Sequence, residues 1–129
     1  MSKKVVVSGG FDPIHVGHLR MFQEAAKLGK LTVVINSDPW LQRKKGYIFM
    51  PWAERAEIIS AFECVSDVVM AVDIDNTVCA SLENIKPDIF ANGGDRGASN
   101  TPESRVCDRL GIEMVYNVGG GKIRSSSHL

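Results

Sequence analysis

The chain has 129 residues, of which 44% are hydrophobic and 23% charged, the ordinary balance of a globular domain with a core to bury. Lys and Arg number 15, as do Asp and Glu, so the net charge is zero; a general electrostatic grip on nucleic acid or an acidic membrane is excluded as the main activity, and only the local run Arg43-Lys44-Lys45 is strongly basic. The opening Met-Ser-Lys-Lys and its short apolar run are too brief for a signal peptide or membrane span, and no C-x-x-C pair links Cys64, Cys79 and Cys107, so a cytoplasmic chain of one domain over residues 1–129 is expected.

Val5-Val6-Val7 is a β-branched run closed by Gly9-Gly10 and predicts a buried strand. From Val16 to Leu28 the residues Leu19, Phe22, Ala25, Ala26 and Leu28 recur at helical spacing, and Gly29 supplies the stop. Leu31 to Ile35 predicts a second strand, ending in Asn36-Ser37-Asp38. Pro39 to Met50 is expected as a basic loop containing aromatic residues. Pro51 suits a first helical position, and Ala53, Ala56, Ile59, Ala61 and Phe62 continue a helix. Val68 to Val72 predicts a third strand, with a helix after it on Val78, Leu82 and Ile85. Asp88 to Ala91 is the fourth strand, followed by Asn92-Gly93-Gly94-Asp95-Arg96. Thr101-Pro102-Glu103 gives a cap, a proline and an early acid for one more helix. Glu113 to Asn117 is the fifth strand, and Gly119-Gly120-Gly121 follows.

This alternation implies a Rossmann-like α/β fold of three layers, a five-stranded parallel sheet flanked by helices. Ligands of such sheets bind beyond the C-terminal ends of the strands. The glycines and polar clusters fall at those ends: Gly9-Gly10, Asn36 to Asp38, Asn92 to Arg96, and Gly119 to Ser127. Turns need some glycine, but they do not need it all on one edge.

The most informative stretch runs from Ser8 through Phe11 and Asp12 to His18. Gly9 and Gly10 let the backbone approach a ligand. A helix beginning near His15 aims free N–H groups and a positive dipole end at the same crevice, a natural phosphate site. His15 and His18 are three residues apart and share one helical face, with Gly17 keeping the surface between them low. A zinc site on His15, His18 and Asp12 is the competing reading, weakened because no further ligand or cysteine is close by.

His15-Val16-Gly17-His18, preceded by Gly-Phe-Asp in a strand–turn–helix context, resembles the H-x-G-H signature of the cytidylyltransferase-like nucleotidyltransferases. The segments Ile35 to Asp38, Arg43, Lys45-Gly46, Pro51, Glu54-Arg55, Asn92 to Asp95 and Pro102-Glu103 are similar to the heptose-1-phosphate adenylyltransferase branch. The short single domain is similar to glycerol-3-phosphate cytidylyltransferase instead. Ser125-Ser126-Ser127 resembles the end of the family's R-T-x-G-x-S-T-S motif, although its leading Arg falls at Gly120, with Lys122 and Arg124 nearby.

The resemblance implies attack by an acceptor phosphate on the α-phosphorus of CTP or ATP, with release of pyrophosphate. His15, His18, Lys44 and Arg55 are then the catalytic candidates: the histidines donate to phosphates, Lys44 or Lys45 closes from a basic loop, and Arg55 holds the β- and γ-phosphates. Gly9, Gly10, Phe11, Asp12, Gly17, Lys45, Asn92, Gly94, Asp95, Lys122, Arg124, Ser125, Ser126 and Ser127 are candidates for nucleotide contact. Asp12 and Asp38 are candidates to orient the histidines or the acceptor. Mg²⁺ is expected on the triphosphate with few protein ligands, and no protein metal site is assigned. The partners implied are the triphosphate, a phosphorylated sugar or polyol, and a second copy of the chain in a homodimer; nucleic acid and membrane are not. The rival expectation is a non-catalytic nucleotide-binding module of flavodoxin-like fold.

Overall fold

A computed structural model describes residues 3–93 and 101–119. Its strands are β1 (Lys4–Gly9), β2 (Lys30–Ile35), β3 (Asp67–Met70), β4 (Ile89–Ala91) and β5 (Glu113–Val115). The helices are α1 (Val16–Ala26), α2 (Asp38–Lys45), α3 (Trp52–Ser60), α4 (Cys79–Ile85) and α5 (Pro102–Leu110). All strand pairs are parallel, in the order β3-β2-β1-β4-β5. The α/β sheet with helices on both faces is the expected one.

Alternation along β1 divides the core. Val5 and Val7 face one side, packed with Phe22 and Ala25 of α1 and Ile59 of α3. Val6 faces the other, packed with Leu82 of α4, Cys107 of α5 and Phe90 of β4. Successive side chains on a strand point to opposite faces, so one apolar run feeds two cores and must be apolar throughout. Val5, Val6 and Val7 are all fully buried.

Parallel pairing puts the C-terminal ends of β1, β2 and β4 on one edge. Val7 is in register with Val33, and Gly9 with Ile35. The Gly9-Gly10, Asn36-Ser37 and Asn92 segments therefore open side by side.

The largest departure from expectation is α2, formed where a basic loop is predicted. Ser37 caps it by accepting the Trp40 N–H at 3.2 Å, Asp38 lies in its first turn, and Arg43, Lys44 and Lys45 fill its last turn. Gly46 ends it at φ 83°, in the left-handed region that favours glycine. Acid at the start and base at the end both complement the helix dipole. Trp40 and Leu41 do not make a helical period, so the caps and charges alone carry the signal.

The cysteines are free. Burial, then nearby carboxylates and Cys79, push the buried Cys107 thiol up to about 11, which makes it packing and not a nucleophile.

Candidate active site

His15 is the N-cap of α1 and His18 lies in its first turn. The Gly17 N–H donates to His15 Nδ1 at 3.1 Å, and the His15 N–H donates to His18 Nδ1 at 3.2 Å. Two imidazoles thus replace the usual serine and glutamate of a reciprocal cap. A ring nitrogen that accepts an N–H holds a lone pair, so each ring carries its hydrogen on Nε2. The rings are stacked 3.8 Å apart, interplanar angle 28°.

Burial, and then the neighbouring His15, lower the His18 pKa from 6.5 to about 4. At neutral pH His18 is a hydrogen-bond donor without a charge. Its ring meets Phe11 edge-on at 4.9 Å, and Phe11 in turn meets Phe22 edge-on at 5.2 Å. Phe11 is held at φ 52° beneath Gly9, where an added Cβ would lie 2.8 Å from the Phe11 ring. Gly9 is therefore needed for room. Gly17 supplies the backbone N–H that fixes His15.

The acids and the arginine bond to backbone and to side chains of the surrounding loops. Asp12 does not touch the histidines. Its carboxylate accepts the Met50 N–H at 2.6 Å, the Phe49 N–H at 2.9 Å and Lys45 Nζ at 2.8 Å. Burial pushes this carboxyl upward, but the Lys45 hydrogen bond, the two backbone donors and the lysine's charge together hold it below the usual value. Asp38 also turns away from the histidines. It accepts the Trp52 N–H at 2.8 Å, capping α3, whose own N-cap Pro51 supplies no side-chain bond.

Arg55 is completely buried. Nε donates to the Met50 carbonyl at 2.8 Å, Nη1 to the Gly10 and Asn36 carbonyls at 2.8 Å each, and Nη2 to Asp38 Oδ1 at 2.7 Å. Four of its five N–H groups are engaged inside the protein. In this structure the guanidinium joins the strand-end segments: the turn at Gly10, the end of β2 at Asn36, Asp38 and the approach to α3 at Met50.

Lys45 and Lys44 separate. Lys45 Nζ also donates to the Asp12 carbonyl at 2.8 Å and lies 4.7 Å from the Tyr47 ring centroid, beside the histidine loop. Lys44 is exposed, with Nζ 5.9 Å from the Trp40 ring on its own helix. Asn92 follows β4; its Nδ2 is buried and has no hydrogen-bond partner among the described residues. It lines a pocket of about 240 Å³ on the α4–α5 side, with Ser8, Thr101, Glu103, Phe90 and Met114 among its walls. Gly94, Asp95, Lys122, Arg124, Ser125, Ser126 and Ser127 lie outside the described residues.

Two of these features escape sequence reasoning: the interior position of Arg55 and the cap that Asp38 gives to α3, 14 residues away.

Residues 6–114 match the model of the cytidylyltransferase-like family. The chain belongs to this family of nucleotidyltransferases. It is 38% identical over 119 residues to the bifunctional protein HldE of Syntrophotalea carbinolica, covering 90% of this chain and 22% of that protein. It is 37% identical over 94 residues to the FAD synthase of Ferroglobus placidus, covering 73% of this chain and 60% of that enzyme. The chain thus spans about a quarter of the length of the bifunctional relatives it matches. Among solved structures, the lipopolysaccharide core biosynthesis protein of Thermoplasma volcanium GSS1 superposes with a TM-score of 0.74 at 26% identity, covering 90% of this chain and 96% of that one.

Replacing Arg55 by Lys keeps the charge but loses the fork. Equilibrium urea unfolding should show a loss of about 3 kcal/mol, since removing a buried partner strands the groups it served. A stable variant with reduced triphosphate affinity would instead return Arg55 to the phosphates.

His18 gives a prediction with a definite sign. A pKa lowered in the folded state means that the unfolded chain binds the proton more readily, so stability is fully present above pH 6.5 and lost as pH falls toward about 4. Melting temperatures across that window should fall less steeply for His18→Gln than for the parent.

Proposed function

We propose that the chain transfers a nucleoside monophosphate from a nucleoside triphosphate to a phosphorylated sugar or polyol, releasing pyrophosphate. The observation that carries this reading is the stacked histidine pair. Two Nε2–H donors stand at the N-terminus of α1, beside the turn at Gly9 and Gly10. Backbone N–H groups, the helix dipole and the imidazole N–H donors form a surface for phosphate oxygens.

The acceptor phosphate oxygen is already an anion and needs no general base. It forms a bond to the α-phosphorus as the bond from that phosphorus to the bridging oxygen breaks, and pyrophosphate carries away the electron pair. The protein positions the two molecules and neutralises the charge that builds on the phosphoryl oxygens. His15 and His18 donate to those oxygens. Lys45, already beside the histidine loop, shifts from Asp12 to the phosphates. Lys44 is the alternative cation.

Displacement in line requires acceptor and pyrophosphate to lie on opposite sides of the α-phosphorus. With the leaving group on the α1 side, the acceptor approaches from the α4–α5 side, where the pocket near Ser8 lies. The pocket offers hydroxyls on Ser8 and Thr101, a carboxylate on Glu103 and the Asn92 amide beside Phe90 and Met114. That mixture suits a hydroxylated body whose C–H faces rest on apolar side chains. Gly94, Asp95, Lys122, Arg124 and the three serines remain candidates for the nucleotide's other contacts.

ATP is the better choice of donor, because the relatives include HldE proteins and FAD synthases. The residues present also suit Mg²⁺ brought in by the triphosphate. The Asp12 carboxylate is occupied by Lys45 and two N–H groups, and among the described residues no cluster of three His, Cys, Asp or Glu is built to hold a metal. Mg²⁺ on phosphates and water needs few protein ligands and supplies charge neutralisation. A homodimer belongs to the same proposal. Among the described residues no helix is long and apolar enough to cross a membrane.

Pyrophosphate release from ATP and CTP over a panel of sugar and polyol phosphates tests this reading. Turnover is expected with ATP. His15→Ala and His18→Ala should each lower kcat by roughly 10²–10³ while nucleotide affinity changes little. Nucleotide binding without turnover on any acceptor would favour the non-catalytic module.

A further inference from the structure

Asp73 belongs to no motif, yet it is only 4% exposed. It lies in the segment between β3 and α4, and the partners of its carboxylate are 36 and 37 residues away. Oδ1 accepts the Ser37 hydroxyl at 2.7 Å. Oδ2 accepts the Ser37 N–H at 2.8 Å and Asn36 Nδ2 at 3.1 Å. Three donors converge on one carboxylate, a number that an amide oxygen or a hydroxyl cannot match.

The same segment also holds the other end of α2. Arg43 Nη2 donates to the Asp73 carbonyl at 2.8 Å, and Arg43 Nε donates to Asn76 Oδ1 at 2.9 Å. Both ends of an eight-residue helix are thus tied to one loop. The Ser37 hydroxyl gives its hydrogen to Asp73, so its lone pairs face the Trp40 N–H that it caps. An isolated helix this short is marginal in water, and its position has to come from outside. The tie at Arg43 is followed immediately by Lys44 and Lys45.

We propose that Asp73 is a positioning residue for nucleotidyl transfer, holding α2 so that Lys45 meets the reacting phosphates. Asp73 touches no substrate and acts through the lysine. This rests on the role proposed above for Lys45. Arg43 is its second attachment and, being exposed, can be removed without opening the interior.

The test is a double-mutant cycle on pyrophosphate release, with folding of each variant confirmed by circular dichroism. Asp73→Asn and Arg43→Ala are each combined with Lys45→Ala. Misplacing a reacting group costs roughly ten- to a hundredfold. Each single variant should therefore lose at least about tenfold in kcat, with acceptor KM within about twofold of the parent. In the Lys45→Ala background the same changes should cost almost nothing, because there is no lysine left to misplace. Equal losses in both backgrounds, or unchanged kcat in folded Arg43→Ala, would overturn the positioning role alone. Parental kcat in Lys45→Ala would overturn the lysine's role and this proposal together. Should Asp73→Asn fail to fold, Ser37→Ala, which removes the hydroxyl that the Asp73 carboxylate accepts, takes its place in the cycle with the same expected losses.

Discussion

The strand-end architecture depends on the guanidinium of Arg55. A cation with no exposed surface is costly unless its donors find acceptors. Here four of the five N–H groups do, on the carbonyls of Gly10, Asn36 and Met50 and the carboxylate of Asp38. Those groups come from the turn after β1, the end of β2, the start of α2 and the approach to α3. Segments that loop chemistry alone would leave independent are held in one arrangement. The planar fork is what permits it, since an ammonium cannot serve acceptors spread around a plane in this way.

Two carboxylates extend the arrangement. Asp12 binds the Phe49 and Met50 N–H groups and Lys45, and Asp73 binds Asn36 and Ser37. The Gly9-Gly10 turn, α2 and the start of α3 therefore form a connected frame around the N-terminus of α1. Inside it the histidines are fixed by backbone donors at Nδ1, which leaves Nε2 outward. In the proposed reaction this frame would act as a pre-set donor surface, of the kind that stabilises developing charge without reorganising.

The fold was largely legible because a buried parallel strand must be apolar on both faces, and Val5 to Val7 and Leu31 to Ile35 are. The histidine site was legible because its parts are contiguous. Everything from Gly9 to His18 lies within one turn and one helix start. The rest was hidden by sequence distance. The Asp73 bonds to Ser37 span 36 residues, and the Arg55 bond to Gly10 spans 45. No local pattern marks which arginine points inward. The carbonyls that an inward arginine meets are set by the fold and leave no mark beside it in the sequence. The α2 helix was missed for a different reason: it is held by caps and terminal charges, not by an apolar stripe, and periodicity is blind to those. Ser37-Asp38-Pro39, with Gly46 beyond the basic turn, was the available signal.

Nitrogen-15 NMR of the imidazoles tests the central claim most directly. At neutral pH, His15 and His18 should both show a hydrogen on Nε2 and a bare Nδ1. Titration with MgATP should then perturb the two Nε2–H resonances and leave both Nδ1 signals in the accepting state. A ring protonated at both nitrogens, a hydrogen on Nδ1, or Nε2–H signals indifferent to the triphosphate would contradict the account.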